Sequence, residues 1–241
     1  MTYIILSAGK GAKLQPLTLN HPKSLYKLDN ETTVLQRLAR GLRVYDADAE
    51  IVVVVGYMYK RILKELEDDN VIFVHNPFYA VTGSIGSLWF AKDYLQRENV
   101  TIINGDIVAG DELFQDIICQ HTDYPYVLLD SSLKNPDKYN VQVQDDQVCV
   151  MSKNLTDYKG VYASVTKLDA VSSRFLLEQL DQMVRGGMYN LFFEDVLVQM
   201  VFQNNFELYY KDIRGFAWTE VDSVDDLLKA RMIQGKKIAA Q

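Results

Sequence analysis

The sequence predicts an α/β fold whose main sheet is mostly parallel. In the first half of the chain, short β-branched apolar runs alternate with segments whose apolar residues recur at helical spacing. The apolar runs show little alternation with polar residues, which is typical of strands buried on both faces. Alternation of strands and helices in this manner implies parallel strands joined by right-handed crossovers.

The first half contains four predicted strands and three predicted helices. The strands are residues 3–6, 51–55, 71–74 and 101–103. The helices are residues 33–45, 58–66 and 84–95. Each helix lies between two strands, as the parallel arrangement requires.

The second half has shorter strands and a different order of elements. Strands are predicted at residues 126–129, 140–144, 147–151 and 161–165, with a hairpin turn at 144–147 and a strand-like stretch at 215–219. Helices are predicted at residues 170–183, 191–202 and 224–234. The whole pattern predicts a Rossmann-like three-layer fold, with a mostly parallel mixed sheet and a smaller β/α region in the second half. Because we find neither a linker nor a repeat, we expect a single domain over residues 1–241.

Composition limits the class of protein. The chain has 241 residues, 48% of them hydrophobic, which is enough for one large core. Its net charge of −7 argues against binding to nucleic acid. The two cysteines have no metal-ligand spacing and predict no disulfide framework, and no apolar run approaches the ~20 residues that cross a bilayer. We therefore expect a cytoplasmic protein with no nucleic-acid or membrane partner.

A glycine loop follows the first predicted strand. Residues 7–18 read SAGKGAKLQPLT and residues 22–25 read PKSL. Gly9 and Gly11 permit backbone angles closed to other residues, so that successive N–H groups can point inward and bind an anion. Positive charge beside them comes from Lys10, Lys13 and Lys23. The loop is therefore predicted to bind phosphate.

Two common phosphate-binding motifs do not fit this loop. The chain has no Gly-Lys-Ser or Gly-Lys-Thr, which the P-loop requires, and Leu14 stands where a dinucleotide fingerprint needs its third glycine. A pair of glycines alone fits a structural turn equally well. The longer string, however, resembles the nucleotidyltransferase signature L-x-A-G-x-G-x-R-L-x-P-L-T followed by P-K-x-L. Lys13 replaces the family arginine, which keeps the charge but loses the planar fork that binds phosphate through two bonds.

Two aspartates are candidate metal ligands. Asp106 follows the apolar run 100–103 through Asn104 and Gly105, and a turn aspartate is the simpler interpretation. Asp222 precedes the last predicted helix, where aspartate also serves as an N-cap. The resemblance to nucleotidyltransferases implies that the two carboxylates together hold Mg²⁺, which uses one or two carboxylates plus substrate phosphates.

The middle of the chain resembles one branch of that family. Asn76, Tyr79, Ser87 and Leu88 are spaced as in the cytidylyltransferases that activate phosphocholine and related small phosphorylated compounds. Residues 83–84 are Gly-Ser where that branch often has paired asparagines, so backbone groups of the following turn are expected to contact the base. The nucleotide-binding residues implied by the resemblance are Leu6, Ser7, Ala8, Gly9, Lys10, Gly11, Lys13, Asn76, Tyr79, Ser84, Ile85, Gly86, Ser87 and Gly105.

The reaction implied by the resemblance is nucleotidyl transfer from CTP. An oxygen of the acceptor phosphate attacks the α-phosphorus in line, and pyrophosphate leaves. Because the nucleophile is already anionic, catalysis needs positioning and charge neutralisation rather than a dedicated general base. The residues predicted to supply them, with Mg²⁺ as cofactor, are Lys13, Lys23, Asp106 and Asp222.

The acceptor is expected to bind in the second half, about residues 111–241, facing a nucleotide-binding half of about residues 1–110. The candidate acceptor-binding residues are Lys23, Tyr139, Asn140, Tyr189, Asn190, Glu194, Asp195 and Trp218. A quaternary ammonium would favour an aromatic cage with nearby carboxylates, for which the candidates are Trp89, Tyr189, Phe192, Glu194 and Asp195. The same polar groups fit a zwitterion such as phosphoglutamine, and the helical spacing of Phe192, Val196 and Met200 also fits a stripe that faces the core.

Two other functions stay open. A sugar-1-phosphate nucleotidylyltransferase would share the glycine loop, although those members of the family usually have longer chains. A non-catalytic nucleotide-binding subunit is favoured only by Lys13. The protein is expected to be a monomer or a homodimer, and the family resemblance indicates a role in capsule or surface-polysaccharide biosynthesis.

Overall fold

The computed structural model describes residues 1–204 and 206–235, which form a three-layer α/β fold. The strands are β1 (Thr2–Ser7), β2 (Glu50–Val55), β3 (Ile72–His75), β4 (Asn99–Asn104), β5 (Ile107–Ala109), β6 (Tyr126–Asp130), β7 (Asn140–Gln144), β8 (Gln147–Ser152), β9 (Gly160–Asp169), β10 (Tyr209–Asp212) and β11 (Trp218–Glu220). The helices are α1 (Val34–Tyr45), α2 (Tyr59–Glu65), α3 (Ser84–Phe90), α4 (Asp111–Leu113, continued by a π-helix at Phe114–Ile118), α5 (Ala170–Arg185), α6 (Glu194–Asn204) and α7 (Val224–Gly235). The predicted fold class is confirmed, since a mixed sheet whose first four strands are parallel lies between two layers of helices.

Nine strands form the main sheet in the order β3-β2-β1-β4-β9-β6-β10-β8-β7. The first four are parallel, and β9 is antiparallel to both β4 and β6. The chain proceeds from β1 outward to β2 and β3, and then returns to place β4 on the other side of β1. This reversal opens a crevice at the carboxyl ends of β1 and β4, where ligands bind in open α/β sheets. A separate two-stranded sheet pairs β5, which follows β4 directly in sequence, antiparallel with β11 near the end of the chain.

Strand β1 is buried on both faces, which explains why residues 3–6 are all apolar. Tyr3 and Ile5 belong to the core beneath α1 and α2, whereas Ile4 and Leu6 belong to the core beneath α3, α5 and α6. Successive side chains of a strand point to opposite faces, so a strand between two helical layers must be apolar throughout. Helix α1 begins at a capping box, in which the Thr33 hydroxyl accepts from Gln36 N–H.

Several predicted elements have different bounds in the structure. The helix predicted at 84–95 ends as α3 at Phe90, and a 3₁₀ turn follows at Lys92–Gln96. The helix predicted at 191–202 begins only at Glu194, and strands β5 and β10 and the helix after β5 were not predicted. Both cysteines are free, and no helix within the described ranges is long and apolar enough to span a membrane. The single domain over 1–241 stays a prediction, and its last six residues lie outside the described part of the chain.

Residues 189–193 form turns and a bend against the amino terminus of α3, which explains the late start of α6. Gly83 N–H donates to the Tyr189 carbonyl at 3.0 Å, and Ile85 N–H donates to the Leu191 carbonyl at 3.3 Å. The Ser84 hydroxyl oxygen accepts from Phe193 N–H at 2.9 Å. These carbonyl groups are therefore occupied by α3 and do not bond within α6.

Close approach of the two segments requires glycine at position 83. A β-carbon there would lie 1.8 Å from the Leu191 carbonyl oxygen. We expect Gly83→Ala to lower the free energy of unfolding by about 2 kcal/mol, because the backbone contact must open to admit the methyl group. The expected fall in the melting temperature is about 5 °C by scanning calorimetry.

Gly235→Ala is the matched control, since a β-carbon at Gly235 meets open space. This variant should unfold within about 1 °C of the wild-type protein. Equal melting temperatures for the two variants would contradict the assigned packing of residues 189–193 on α3.

Candidate active site

A cavity of about 530 Å³ opens at the carboxyl ends of β1 and β4. One wall consists of the glycine loop, residues 79–87 and Asn104–Asp106, and the other comes from residues 137–139, β9, residues 192–194 and β11. The predicted site residues that line it are Leu6, Ser7, Ala8, Gly9, Lys10, Gly11, Lys13, Lys23, Tyr79, Ser84, Ser87, Gly105, Asp106, Tyr139, Glu194 and Asp222. The structure thus brings most of the predicted nucleotide-binding residues together.

The glycine loop has an open, tightly turned backbone. Gly11 has φ 64°, in the left-handed region that favours glycine, and its carbonyl accepts from the Thr18 hydroxyl at 2.8 Å. Nothing lies within 4 Å of the position that a Gly9 β-carbon would occupy. A ligand can therefore approach the Gly9 backbone closely, as phosphate binding to backbone N–H groups requires.

Lysines and carboxylates form a connected cluster on the floor of the cavity. The Lys23 ammonium contacts Asp106 and lies 3.0 Å from Asp222, and the Lys13 ammonium lies 3.1 Å from Asp222. Lys138 pairs with Glu220 and lies 3.4 Å from Asp222. Three cations therefore face three anions on the cavity floor.

The pKa shifts in this cluster follow from burial and charge together. Burial opposes the charged form of Lys23, but Asp106 and Asp222 outweigh it and raise the pKa of the ammonium. Burial raises the pKa of Asp106. For Asp222, burial acts in the same direction but Lys23 and Lys138 outweigh it, so the pKa falls well below its usual range.

The two predicted metal ligands have the donor set that Mg²⁺ prefers. Asp106 and Asp222 meet at the Lys23 ammonium, and Asp106 Oδ1 is buried without a hydrogen-bond partner. Within residues 1–204 and 206–235, no three His, Cys, Asp or Glu side chains are grouped to hold a metal. Two carboxylates completed by phosphate oxygens are the arrangement expected for Mg²⁺, so these residues fit the ion.

Three predicted nucleotide-binding residues lie behind the cavity wall. Asn76 is fully buried and donates to Thr82 Oγ1 and Ser87 Oγ at 3.0 and 3.1 Å. Ile85 is buried in the core, and Gly86 packs its α-carbon against Thr82. All three residues support the wall that Ser84 and Ser87 present to the cavity. Helix α3 directs Ile85 and Gly86 away from the cavity.

Most of the predicted acceptor-binding residues are used elsewhere. The buried Asn140 side chain donates to the Asn135 carbonyl at 3.1 Å, and Trp218 Nε1 donates to Asp130 at 2.9 Å. Tyr189 and Asn190 are exposed outside the cavity. None of these four lines the cavity, because strand pairing and loop packing orient them elsewhere.

The predicted aromatic cage does not assemble. Trp89 Nε1 donates to Asp181 on α5 at 3.0 Å, which holds the indole away from the cavity. Asp195 accepts from the Tyr139 hydroxyl at 3.1 Å and from Phe192 N–H at 2.9 Å, so both of its oxygens are occupied. Phe192 does not face the core as helical spacing predicted, because it precedes α6 and lines the cavity.

Sequence reasoning missed nine polar residues of the cavity. They are Ser24, Thr82, Asn104, Asp137, Lys138, Lys153, Tyr162, Ser164 and Glu220. Glu220 lies two residues before Asp222 on an extended segment, and this spacing was the available signal that both carboxylates face the same way. Ser164 has φ 57° within β9, where pairing with β6 is irregular, and its hydroxyl donates to Glu220 at 2.9 Å. Nothing in the local sequence marks that irregularity.

Glu194 is a buried acid that lines the cavity without a full set of partners. The residue is only 5% exposed, and its Oε2 has no hydrogen-bond partner. Burial raises the pKa of Glu194 to about 8, with added repulsion from Glu220 and Asp195. A ligand group that donates a hydrogen bond or carries positive charge would satisfy this carboxyl group.

The fold and the site together define a nucleotidyltransferase. The chain belongs to the family described as the MobA-like NTP transferase domain, whose model matches residues 3–158. The family resemblance read from the glycine loop is thereby confirmed.

Relatives of this chain include two cytidylyltransferases and a longer bifunctional protein. The chain is 25% identical to the choline-phosphate cytidylyltransferase of Streptococcus pneumoniae, over 97% of this chain and 98% of that protein. It is 26% identical to the CTP:phosphoglutamine cytidylyltransferase of Campylobacter jejuni, over 94% and 98% of the two chains. It is 32% identical to the bifunctional protein GlmU of Methanocaldococcus jannaschii, over 61% of this chain, and the match spans only 34% of that longer protein.

A solved structure shows the same fold over nearly the whole chain. The CTP:phosphocholine cytidylyltransferase of Streptococcus pneumoniae superposes with a TM-score of 0.78. The comparison covers 97% of this chain and 98% of that one, at 22% identity.

The raised pKa of Glu194 predicts a pH-dependent contribution to stability. The unfolded chain releases this proton near pH 4.3, whereas the folded protein retains it up to about pH 8. Between these values the folded state binds more protons, so the stabilising contribution is lost as the pH rises through 8. We expect Glu194→Gln to unfold about 5 °C above the wild type at pH 8.5, corresponding to ~2 kcal/mol for an unsatisfied buried carboxylate, and to show a smaller gain at pH 5.

Glu178→Gln, on the exposed surface of α5, is the control and should change the melting temperature by less than about 1 °C at either pH. A stability difference between Glu194→Gln and the wild type that did not vary with pH would show that Glu194 does not titrate as assigned.

Proposed function

We propose that the protein is a cytidylyltransferase that transfers CMP from CTP to a small phosphorylated non-sugar acceptor, giving a CDP-linked product and pyrophosphate. The observation that carries the proposal is the meeting of Lys13, Lys23, Asp106 and Asp222 beside the glycine loop. CTP and a non-sugar acceptor are supported by the two cytidylyltransferase relatives, which match over almost their full lengths.

In this proposal the triphosphate lies across the glycine loop. Lys13 and the loop N–H groups bind the β- and γ-phosphates, and Lys23 neutralises the α-phosphate and the incoming acceptor phosphate. Asp106 and Asp222 would hold Mg²⁺, which when bound supplies positive charge to the phosphate oxygens.

Bond changes are simple because both reactants are already anionic. An acceptor phosphate oxygen forms a bond to the α-phosphorus, the bond from that phosphorus to the α–β bridging oxygen breaks, and pyrophosphate leaves with the electron pair. No proton needs to be removed from the nucleophile. The protein's contribution is therefore alignment of the reactants and neutralisation of the charge that gathers on them.

The charge cluster also explains how a protein of net charge −7 can bind two polyanions. Lys13, Lys23 and Lys138 are concentrated in one cavity, where their carboxylate partners keep them in position. When phosphates bind to the lysines, the released carboxylates become free to hold the metal. Nucleotide and Mg²⁺ are therefore expected to bind more tightly together than separately.

Substitutions in the cluster test the proposal. We expect Asp106→Asn and Lys23→Met each to lower kcat/KM by about 10²-fold or more, because each removes charge from the transition-state environment. The measurements are pyrophosphate release and the mass of the CDP-linked product, with CTP, Mg²⁺ and a panel of phosphorylated small molecules.

Asp181→Asn is the control, since Asp181 pairs with Lys92 at 3.2 Å outside the cavity. It should leave kcat/KM unchanged. Wild-type turnover by Asp106→Asn would exclude the assigned role of that carboxylate.

A sugar-1-phosphate nucleotidylyltransferase is the second candidate, and it is favoured by 27% identity to the mannose-1-phosphate guanylyltransferase catalytic subunit beta of Drosophila melanogaster, over 93% of this chain and 60% of that protein. Thermal shift with CTP, UTP, dTTP, GTP and ATP discriminates between the two, because a nucleotide that binds the native state raises the melting temperature. A larger shift with UTP or dTTP than with CTP, together with turnover of a sugar-1-phosphate, would favour the second candidate. Cytoplasmic location, a monomer or homodimer, and a role in capsule or surface-polysaccharide synthesis stay predictions.

A further inference from the structure

The side chain of Lys153 lies against two aromatic rings that line the cavity, those of Tyr139 and Phe192. The rings of Tyr139 and Phe192 meet edge to face, with centroids 5.9 Å apart at 75°. The Lys153 ammonium lies 4.3 Å from the Phe192 centroid and 5.2 Å from the Tyr139 centroid. These distances are those of a cation–π contact, so the chain's own cation takes the place that a ligand cation would seek.

We propose that Lys153 makes this pocket selective for acceptors that carry a carboxylate together with an ammonium group, and so for phosphorylated amino acids over phosphocholine. This inference rests on the proposed function and specifies its substrate class. Lys153 acts here as a specificity-determining residue at the end of the cavity away from the metal ligands.

The Lys153 ammonium would repel a quaternary ammonium group at the aromatic pair. A quaternary ammonium that packed on Tyr139 or Phe192 would lie beside the Lys153 ammonium, in a half-buried site where like charges are poorly screened. The pair is also fixed in place, because Asp195 accepts both from the Tyr139 hydroxyl and from Phe192 N–H. A trimethylammonium group would therefore have to displace Lys153 to use these rings.

The Lys153 ammonium is also available to bind an anionic group. Among the residues that the structure describes, no carboxylate lies within ion-pair distance of its ammonium. The other lysines on the cavity floor, Lys23 and Lys138, are each paired with two carboxylates. Like Lys10 at the glycine-loop end of the cavity, Lys153 can thus pair with an anionic group of the ligand without giving up a carboxylate partner.

Glu194 supplies the complementary group, because an ammonium bound beside it would favour the ionised form of its carboxyl group. It lines the same cavity, it is 5% exposed, and one of its carboxyl oxygens is buried without a partner. The charged groups that influence it are Glu220 and Asp195, which repel its negative charge, and Lys153, which attracts it. An ammonium group of the ligand at Glu194 and a carboxylate at Lys153 would satisfy both residues at once.

The acceptor phosphate would bind at Lys23 and Lys138, apart from the groups that bind at Lys153 and Glu194. Lys138 adjoins Tyr139 in sequence and reaches Asp222 at 3.4 Å, so it links the charge cluster to the aromatic pair. A phosphate bound by Lys23 and Lys138 would direct the remainder of a small acceptor toward Tyr139, Lys153 and Glu194. The cavity thus has a phosphate end and a zwitterion end.

A panel of acceptors tests the inference in the wild-type protein with CTP and Mg²⁺. Phosphoethanolamine carries only the ammonium, O-phospho-L-serine adds a carboxylate to it, phosphoglutamine is a longer amino acid, and phosphocholine is the quaternary amine. We expect kcat/KM for at least one of the two phosphorylated amino acids to exceed that for phosphoethanolamine and for phosphocholine by about tenfold or more, because the lysine would otherwise stay unpaired.

Variants of Lys153 connect the preference to the residue. Lys153→Met should raise KM for the preferred phosphorylated amino acid by about tenfold with little change in kcat, and should leave phosphocholine unchanged or improved. Lys153→Arg should keep the wild-type preference. Lys134→Met is the matched control, because Lys134 also stacks on an aromatic ring, that of Tyr158 at 4.3 Å, but does not line the cavity.

The outcomes separate this inference from the function on which it rests. Phosphocholine as the best acceptor, or a preference unaltered in Lys153→Met, would overturn the inference and leave the cytidylyltransferase proposal standing. No CDP-linked product from any acceptor in the panel, or product only from a sugar-1-phosphate, would overturn both.

Discussion

The contact of the Lys23 ammonium with Asp106 and Asp222 is the interaction on which the site depends. It joins a residue of the amino-terminal loop to a carboxylate 199 positions later in the chain. Two carboxylates that face one buried space repel each other unless a cation lies between them. Lys23 fulfils that requirement, because its ammonium contacts both carboxylates.

Backbone hydrogen bonds bring the two carboxylates together. Strand β5 follows Asp106 directly and pairs with β11, so that Glu220 lies opposite Ile107. Val221 N–H then donates to the Asp106 carbonyl at 3.0 Å. Because this pairing does not depend on side-chain charge, the backbone alone brings the two carboxylate residues close to each other.

The two ends of the cavity differ in electrostatic character. At the end nearest the glycine loop, Lys13 and Lys23 are paired with carboxylates. At the other end, the Lys153 ammonium lies on the Phe192 ring, and the buried Glu194 carboxyl group has one oxygen without a hydrogen-bond partner. In the proposed function, affinity for triphosphate and choice of acceptor would therefore depend on different residues of one site, as members of one fold can differ in substrate.

The sequence by itself determined the fold class, the glycine loop and the pair Asp106 and Asp222. The fold class and the loop follow from local patterns, because apolar runs predict buried strands and parallel strands present their carboxyl ends at one edge. The pair of aspartates was predicted from the resemblance to nucleotidyltransferases, since each residue alone also fits a turn or a helix cap. Only the tertiary structure decided that Lys138, Lys153 and Glu220 join them, that Trp89 and Asn140 point elsewhere, and that residues 189–193 close over α3. The physical reason is that these positions depend on pairing between strands and loops far apart in sequence, on an irregular register between β6 and β9, and on the competition of each polar group for a buried partner.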